Sequence, residues 1–414
     1  MKDRFISILL GMLLFSLLVA GVSAWEQKIE GGASAISLSD DGSIGVYYEE
    51  GADQYSKDNF ALYDKSGKKL WDYSMPSNME VAWFSSSDNG KYFLMVSKLK
   101  IDNSFKADYL LVFLDKDGKE QWRKTYENIE CATNSIYFTK IANDGSFFAI
   151  RNFPGSIERF NVKGDITYTS ADISSQIESF SVTDDGNIIV ISTIQGNIKY
   201  FNTLTRSEWT YEVSCQSCVD ITGDGKYIAV GTASTTSSVK SGIILLDSSG
   251  KKIWSTPTTY WVNLIGISND GEYIIILDDN EKIRCFDKSG NELWSRPGIY
   301  FRFAKDQLSV VLVDSDNPDK VALYSIGNAK IMEEMTQYGV GSIQISKNGE
   351  FIAVGCKDYL YFYTPSYPTA GLSFSGIESD GSTGNTAQSA PLGLLSVIMS
   401  LAIICVLIRN RDDR

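Results

Sequence analysis

Cys215-Gln216-Ser217-Cys218 is the motif whose residue types and spacing most invite chemistry. It has the form of half a structural zinc site, but no second pair exists to complete four ligands. In an oxidising compartment the same spacing fits a local Cys215–Cys218 disulfide, with plain buried thiols as the alternative. Cys131, Cys285 and Cys356 bring the count outside the apolar C-terminal stretch to five, and Cys405 lies within that stretch. An odd count leaves at least one thiol unpaired within the chain. Cys285 and Cys356 fall in strand-like runs and read as small core residues. The chain contains no histidine. That removes the usual general base near neutral pH and the commonest metal ligand, which excludes Ser-His-Asp hydrolysis and His-ligated zinc. No catalytic, cofactor-binding or metal-binding residue is assigned, and no cofactor is expected.

The elements that would position any site follow from a repeat of roughly 44 residues, a period of propellers and solenoids. Turn marks recur at Asp41-Gly42, Asp88-Asn89-Gly90, Asp144-Gly145, Asp185-Gly186, Asp224-Gly225, Asp270-Gly271 and Asn348-Gly349, with Asp306-Gln307 as a degraded copy. Such dipeptides tolerate the positive φ of tight hairpins, so each marks a strand reversal. Matched apolar pairs precede most marks, as in Val219 and Ile221 or Ile265 and Ile267, and a period of two is that of a strand buried on one face. A second strand follows each mark, for example Tyr227 to Val230.

A second landmark places a polar residue seven positions before a bulky one: Asp64 and Trp71, Asp115 and Trp122, Asn161 and Tyr168, Asn202 and Trp209, Asp247 and Trp254, Asp287 and Trp294, Ser325 and Met332. The Gly of the intervening turn suits a hairpin between third and fourth strands. Each unit is therefore a four-stranded antiparallel meander, and eight marks give eight units, with seven as the alternative because the copy at Asp306 is weak. The last unit has three strands up to Tyr363, after which Pro365 and Pro368 forbid a fourth. Trp25 precedes Asp41 by sixteen residues, as Trp254 precedes Asp270. The segment from Trp25 to Ile29 is thus expected to complete the last blade and remove two exposed edges.

The Asp-x-x-Gly-x-x-Leu-Trp pattern, as in Asp287 to Trp294, resembles the tryptophan-docking repeat of quinoprotein-like (PQQ-like) propellers. The Asp-Gly-x-Tyr-Ile-Ala-Val-Gly pattern is similar to that of WD-repeat-like surface propellers. The resemblance covers about residues 25 to 364. It implies an all-β, eight-bladed β-propeller in which the Trp of one blade wedges against its neighbour. It also raises a quinone-dependent sugar or alcohol dehydrogenase as an alternative function. Such enzymes set a vicinal Cys-Cys disulfide against the cofactor, and no adjacent cysteines occur here. Fold alone does not license the chemistry.

The ends speak of export and tethering. Lys2 and Arg4, an apolar run from Phe5 to Val19 and the small-x-small Val22-Ser23-Ala24 read as a signal peptide over residues 1–24. An uncleaved anchor is the alternative. The propeller is expected over 25–372 and a Gly/Ser/Thr-rich stalk over 373–390. A transmembrane helix over 391–408 and a basic cytoplasmic tail over 409–414 complete the layout. The tail resembles the anchoring tails of archaeal surface proteins, with Pro391-Leu392-Gly393 in place of the Pro-Gly-Phe of the archaeosortase signal. That departure favours a retained helix.

The whole chain carries a net charge of −13. Leader and tail each contribute +1, so the part between them stands near −15. Such a surface repels phosphate backbones, which argues against nucleic acid. The connections between second and third strands are long, at Glu49 to Asn59, Lys98 to Asp108, Thr232 to Ser241 and Asp314 to Lys320, and they share a rim with the links between blades. Tyr55, Phe105, Tyr260, Trp261 and Tyr300 fall on or near that rim as candidate anchors for a protein, glycan or envelope partner at the cell surface. A non-enzymatic binding module is the first expectation. An assembly scaffold, similar to the quinoprotein-like propellers of bacterial outer-membrane machinery, is a related one.

Overall fold

The structure, a computed structural model, describes residues 23–367 apart from 30–31, 34, 51–56, 77–79, 101–105, 131–135, 153–154, 172, 174 and 235–239. The expected stalk, membrane span and basic tail lie outside the described residues, as do residues 1–22 of the expected leader.

Thirty-two strands among the described residues form eight four-stranded antiparallel sheets. Blades one to seven are consecutive meanders over 35–74, 80–130, 136–169, 177–212, 216–257, 262–297 and 300–335. Blade eight takes three strands from 340–364 and its outermost strand from Ser23–Lys28. The count is therefore eight, not seven. Antiparallel pairing sets Ala24 against Tyr363, Trp25 against Phe362 and Lys28 against Tyr359, so the ring closes as the sixteen-residue interval required. The closing strand begins at Ser23, two residues before the expected cleavage point.

The repeated Trp explains why blades stay in step. Trp25, Trp71, Trp122, Trp209, Trp254 and Trp294 each donate their indole Nε1–H to a backbone carbonyl in the next blade, at 2.5–3.0 Å. The acceptor is always the residue after the polar mark: Lys65, Lys116, Val162, Ser248, Lys288 and Ile326. In the best copies the mark itself shapes that turn. The Asp64 carboxylate accepts the Ser66 and Lys68 backbone N–H groups at 2.8 and 3.1 Å, and Asp247 does the same for Ser249 and Lys251. Spacing and docking are thus one device: the polar residue builds the turn whose carbonyl and glycine receive the preceding blade's indole. Blade three departs from the pattern, since Tyr168 gives its hydroxyl to Glu208 of blade four at 2.5 Å.

Apolar side chains fill the spaces between neighbouring blades. The interface of blades two and three is the most aromatic, with Phe113 stacked on Trp122 and Phe147 on Phe160, each at 5.0 Å between ring centroids. Such offset stacks contribute about 0.5–1.5 kcal/mol each beyond area burial. In blades one and two the second and third strands run on past their expected ends. Glu49 faces Asp58, and Lys100 faces Ala107, so the described ends of these connections are paired strand.

Candidate functional site

A meander puts the first and third hairpin turns of every blade on one rim, the turn rim. The second turns and the links between blades lie on the other, the link rim. Eleven large apolar residues are exposed among the described ones. Leu70, Ile166, Ile253 and Leu293 lie within outermost strands, Met335 is the last residue of one at its link-rim end, and Leu204 is on the turn rim. Met335, with Ile194, Tyr260, Trp261, Ile299 and Tyr338, makes six on the link rim of blades four to eight.

Tyr260 and Trp261 sit side by side on the link from blade five to blade six, 38 % and 41 % exposed. Trp261 is held at both ends. Its Nε1–H donates to the Ser234 carbonyl at 2.9 Å, and its backbone N–H donates to the Asp279 carboxylate at 2.9 Å. The ring is therefore fixed while one face remains in water, which lowers the entropy a partner would have to remove. Tyr300 stands apart from this pair. It opens the first strand of blade seven, is half-buried, and lies under the Arg302 guanidinium at 4.5 Å from its ring centroid. Tyr55 and Phe105 lie outside the described residues. Sequence reading missed Ile194, Ile299, Met335 and Tyr338, although their place in turns and links was visible once the strands were assigned.

The turn rim holds a different feature. The axial channel opens there into a cavity of about 310 Å³, lined by inner strands and turns of blades two, three, four, seven and eight. Lys347 of blade eight reaches across the ring to Asp184 of blade four, directly opposite, at 2.6 Å. Burial alone would lower the Lys347 ammonium, but its bond to Asp184, with Asp306 and Asp88 near, holds it above the ordinary lysine range. Lys305 of blade seven reaches Asp220 of blade five at 2.8 Å, and Lys140 pairs with Asp88. Asp220 is buried and also accepts the Ser181 hydroxyl at 2.6 Å and the Ile267 N–H at 2.8 Å, so one carboxylate ties four blades together. Asp40 accepts the Asn348 N–H at 3.0 Å where blade eight meets blade one, and burial pushes its carboxyl above the usual range. Lys305 and Lys347 occupy the position in their repeats that Asp40, Asp88 and Asp184 hold in others. That sign change was the sequence signal for these pairs.

The Cys215–Cys218 disulfide does not form: both are free thiols. Cys215 lies in the bend before the first strand of blade five, and Cys218 is the third residue of that strand, Gln216–Ile221. Residues three apart in extended chain are about 10 Å apart and point to opposite faces, beyond the ~7 Å reach of a disulfide. The Cys218 Sγ instead points towards blade six, 3.6 Å from the Val262 carbonyl, and burial pushes its thiol up to about 12. Cys285 and Cys356 are buried, and Cys131 lies outside the described residues. Among the described residues no cluster of His, Cys, Asp and Glu could hold a metal ion.

No protein-family model and no curated protein matches the chain. Solved structures do. Sqt1 of Chaetomium thermophilum aligns with a TM-score of 0.59 at 12 % identity, over 81 % of this chain and 96 % of that one. Sqt1 bound to the N-terminus of the ribosomal protein L10 aligns at 0.55 and 12 %, over 81 % and 97 %. BamB of Moraxella catarrhalis aligns at 0.55 and 13 %, over 83 % and 100 %. At such identities the likeness is one of fold, and the chain is similar to these proteins as an all-β, eight-bladed propeller.

Proposed function

We propose that this chain is a non-enzymatic scaffold that binds a protein partner through the link rim of its propeller, outside the cell and tethered by the apolar segment at 391–408. The observation that carries the reading is the concentration, among the described residues, of six exposed apolar residues on that rim, with Trp261 locked by two hydrogen bonds. Rigid aromatics in a polar surround are the usual anchors of an interface. That a propeller of similar fold was captured with the N-terminus of a ribosomal protein supports a polypeptide over a glycan as the partner. The leader, stalk and basic tail read from the sequence support tethering, and the net charge of −13 argues against nucleic acid.

Photo-crosslinking on whole cells tests the reading. The full chain would carry benzoylphenylalanine at Tyr260, Ile194 or Tyr338, with Leu204 on the turn rim as control. Adducts of one discrete mass from the link-rim positions and none from Leu204 are expected. Adducts from Leu204 alone, or from no position, would sink the proposal.

A further inference from the structure

Three Lys–Asp pairs gather at the channel mouth, with Asp306 as a further carboxylate 3.7 Å from Lys347, and Arg302 joins none of these pairs. It lies in the first strand of blade seven and lines the mouth cavity. It also lines, with Gln344, a second cavity of about 310 Å³ between blades seven and eight. Among the described residues it has no carboxylate partner. Its one charge-related contact is the Tyr300 ring at 4.5 Å. A half-buried guanidinium inside a narrow channel has lost part of its hydration, and a ring face restores a fraction of it. Its planar fork remains free to grip an anion with two parallel N–H bonds. Gln344 lies on the adjacent blade and lines both cavities; its side-chain NH2 makes one long bond to the Ile36 carbonyl at 3.4 Å, which leaves its second N–H as a further donor. The rest of the mouth is mixed, with Ile141, Phe180, Val182, Phe303 and Ile345 beside hydroxyls and the paired Lys and Asp side chains.

We infer that the channel mouth is a binding site for a small carboxylate with an aromatic or branched apolar body, its carboxylate gripped by Arg302 and Gln344 and its body set against Phe180, Phe303 and Ile345. A volume near 310 Å³ is at the lower end of small-molecule sites. The inference does not rest on the link-rim reading: the apolar body is placed at the turn-rim end, although the second cavity beside Arg302 reaches Ile299 and Tyr300 at the link-rim end.

Calorimetric titration of the full chain in detergent, with three probes, tests the site. 4-Phenylbutyrate carries both features, 4-phenylbutanol lacks the charge, and inorganic phosphate lacks the body. Phenylbutyrate is expected to bind at least tenfold more tightly than either of the others. Arg302→Gln should weaken it at least tenfold, and Arg302→Lys less. Gln344→Glu leaves Arg302 in place but supplies an internal counter-ion, so it should abolish phenylbutyrate binding while the fold persists. No binding of phenylbutyrate, equal affinity for the alcohol, phosphate binding as tightly as the acid, or undiminished binding by Gln344→Glu would each overturn the proposal.

Discussion

Replacing Gly118 by Ala should unstitch one inter-blade contact, and the cost can be worked from the structure. Gly118 closes the hairpin between third and fourth strands of blade two at φ 75, and a Cβ there would stand 2.8 Å from the Trp71 indole. The left-handed backbone costs an L-residue about 1–2 kcal/mol. The indole must also withdraw, which weakens its 3.0 Å bond to the Lys116 carbonyl, worth about 0.5–1.5 kcal/mol. Together these give an expected loss of about 1.5–3.5 kcal/mol. Blade seven supplies the control, because there the left-handed position is Asn328 at φ 71. A Cβ on Gly327 would meet nothing nearer than the Ser325 hydroxyl at 3.9 Å. Gly327→Ala should therefore stay within about 0.5 kcal/mol of the parent. With an unfolding entropy of ~2.1 cal/mol/K per residue, a ring of this size shifts by about 1.4 °C per kcal/mol. Thermal melts followed by tryptophan emission should then separate the variants by roughly 2–5 °C. Coincident melts would refute the claim that indole docking on a left-handed glycine holds the blades in register.

Cleavage after Ala24 would leave Trp25 to Lys28 paired with Phe362 to Tyr359, so the mature chain should start at Trp25 by N-terminal sequencing and still close its ring. Trp25→Ala should cost about 2–3 kcal/mol in urea unfolding, since it removes both the stack on Phe362 at 5.3 Å and the bond to Lys65. Hydrogen bonds from Ser66 and Ser249 hold the Asp64 and Asp247 carboxyls below the usual range. Their contribution is complete above an ordinary carboxylate pKa of about 3.9 and is lost as pH falls through the lower folded values. A double Asp64→Asn, Asp247→Asn variant should accordingly show a shallower fall in melting temperature between pH 5 and 2. Lys347→Met should cost about 1 kcal/mol, well short of a fully buried pair because the Asp184 side chain is 43 % exposed. The parent's advantage over that variant should fade in alkali, as pH rises past an ordinary lysine value of about 10.4 and through the raised folded one.

The ring was legible because its signals are local. A turn mark and a polar-to-Trp interval each report one hairpin, and eight repetitions leave little choice of architecture. Closure was legible because the interval from Trp25 to Asp41 copies one inside the chain. Contacts across the ring were not. Lys347 and Asp184 are 163 positions apart, and their meeting depends on where opposite blades place their strand ends. The cysteine pairing failed for a subtler reason. The sequence spacing is that of a loop motif, whereas the strand takes in Cys218 and leaves Cys215 in the bend outside it. Tyr300 opens its strand next to Ile299 of the link rim, and what the sequence did not reveal is that its ring serves the Arg302 guanidinium two residues on.

The closing blade also determines how the molecule bears tension. The third strand of blade eight, Tyr359–Thr364, lies between two antiparallel neighbours, Ile352–Cys356 and Ser23–Lys28. Just beyond it, the Tyr367 hydroxyl donates to the Gly349 carbonyl at 2.8 Å and contacts that of Ser309 at 3.0 Å. Force applied downstream of Tyr367 would first strain this hydroxyl clasp and then run along the strand axis. Its ladder bonds would share the load in shear, which resists far better than peeling them apart singly. The clasp and the sandwiched strand together make the exit of the chain a mechanically reinforced seam.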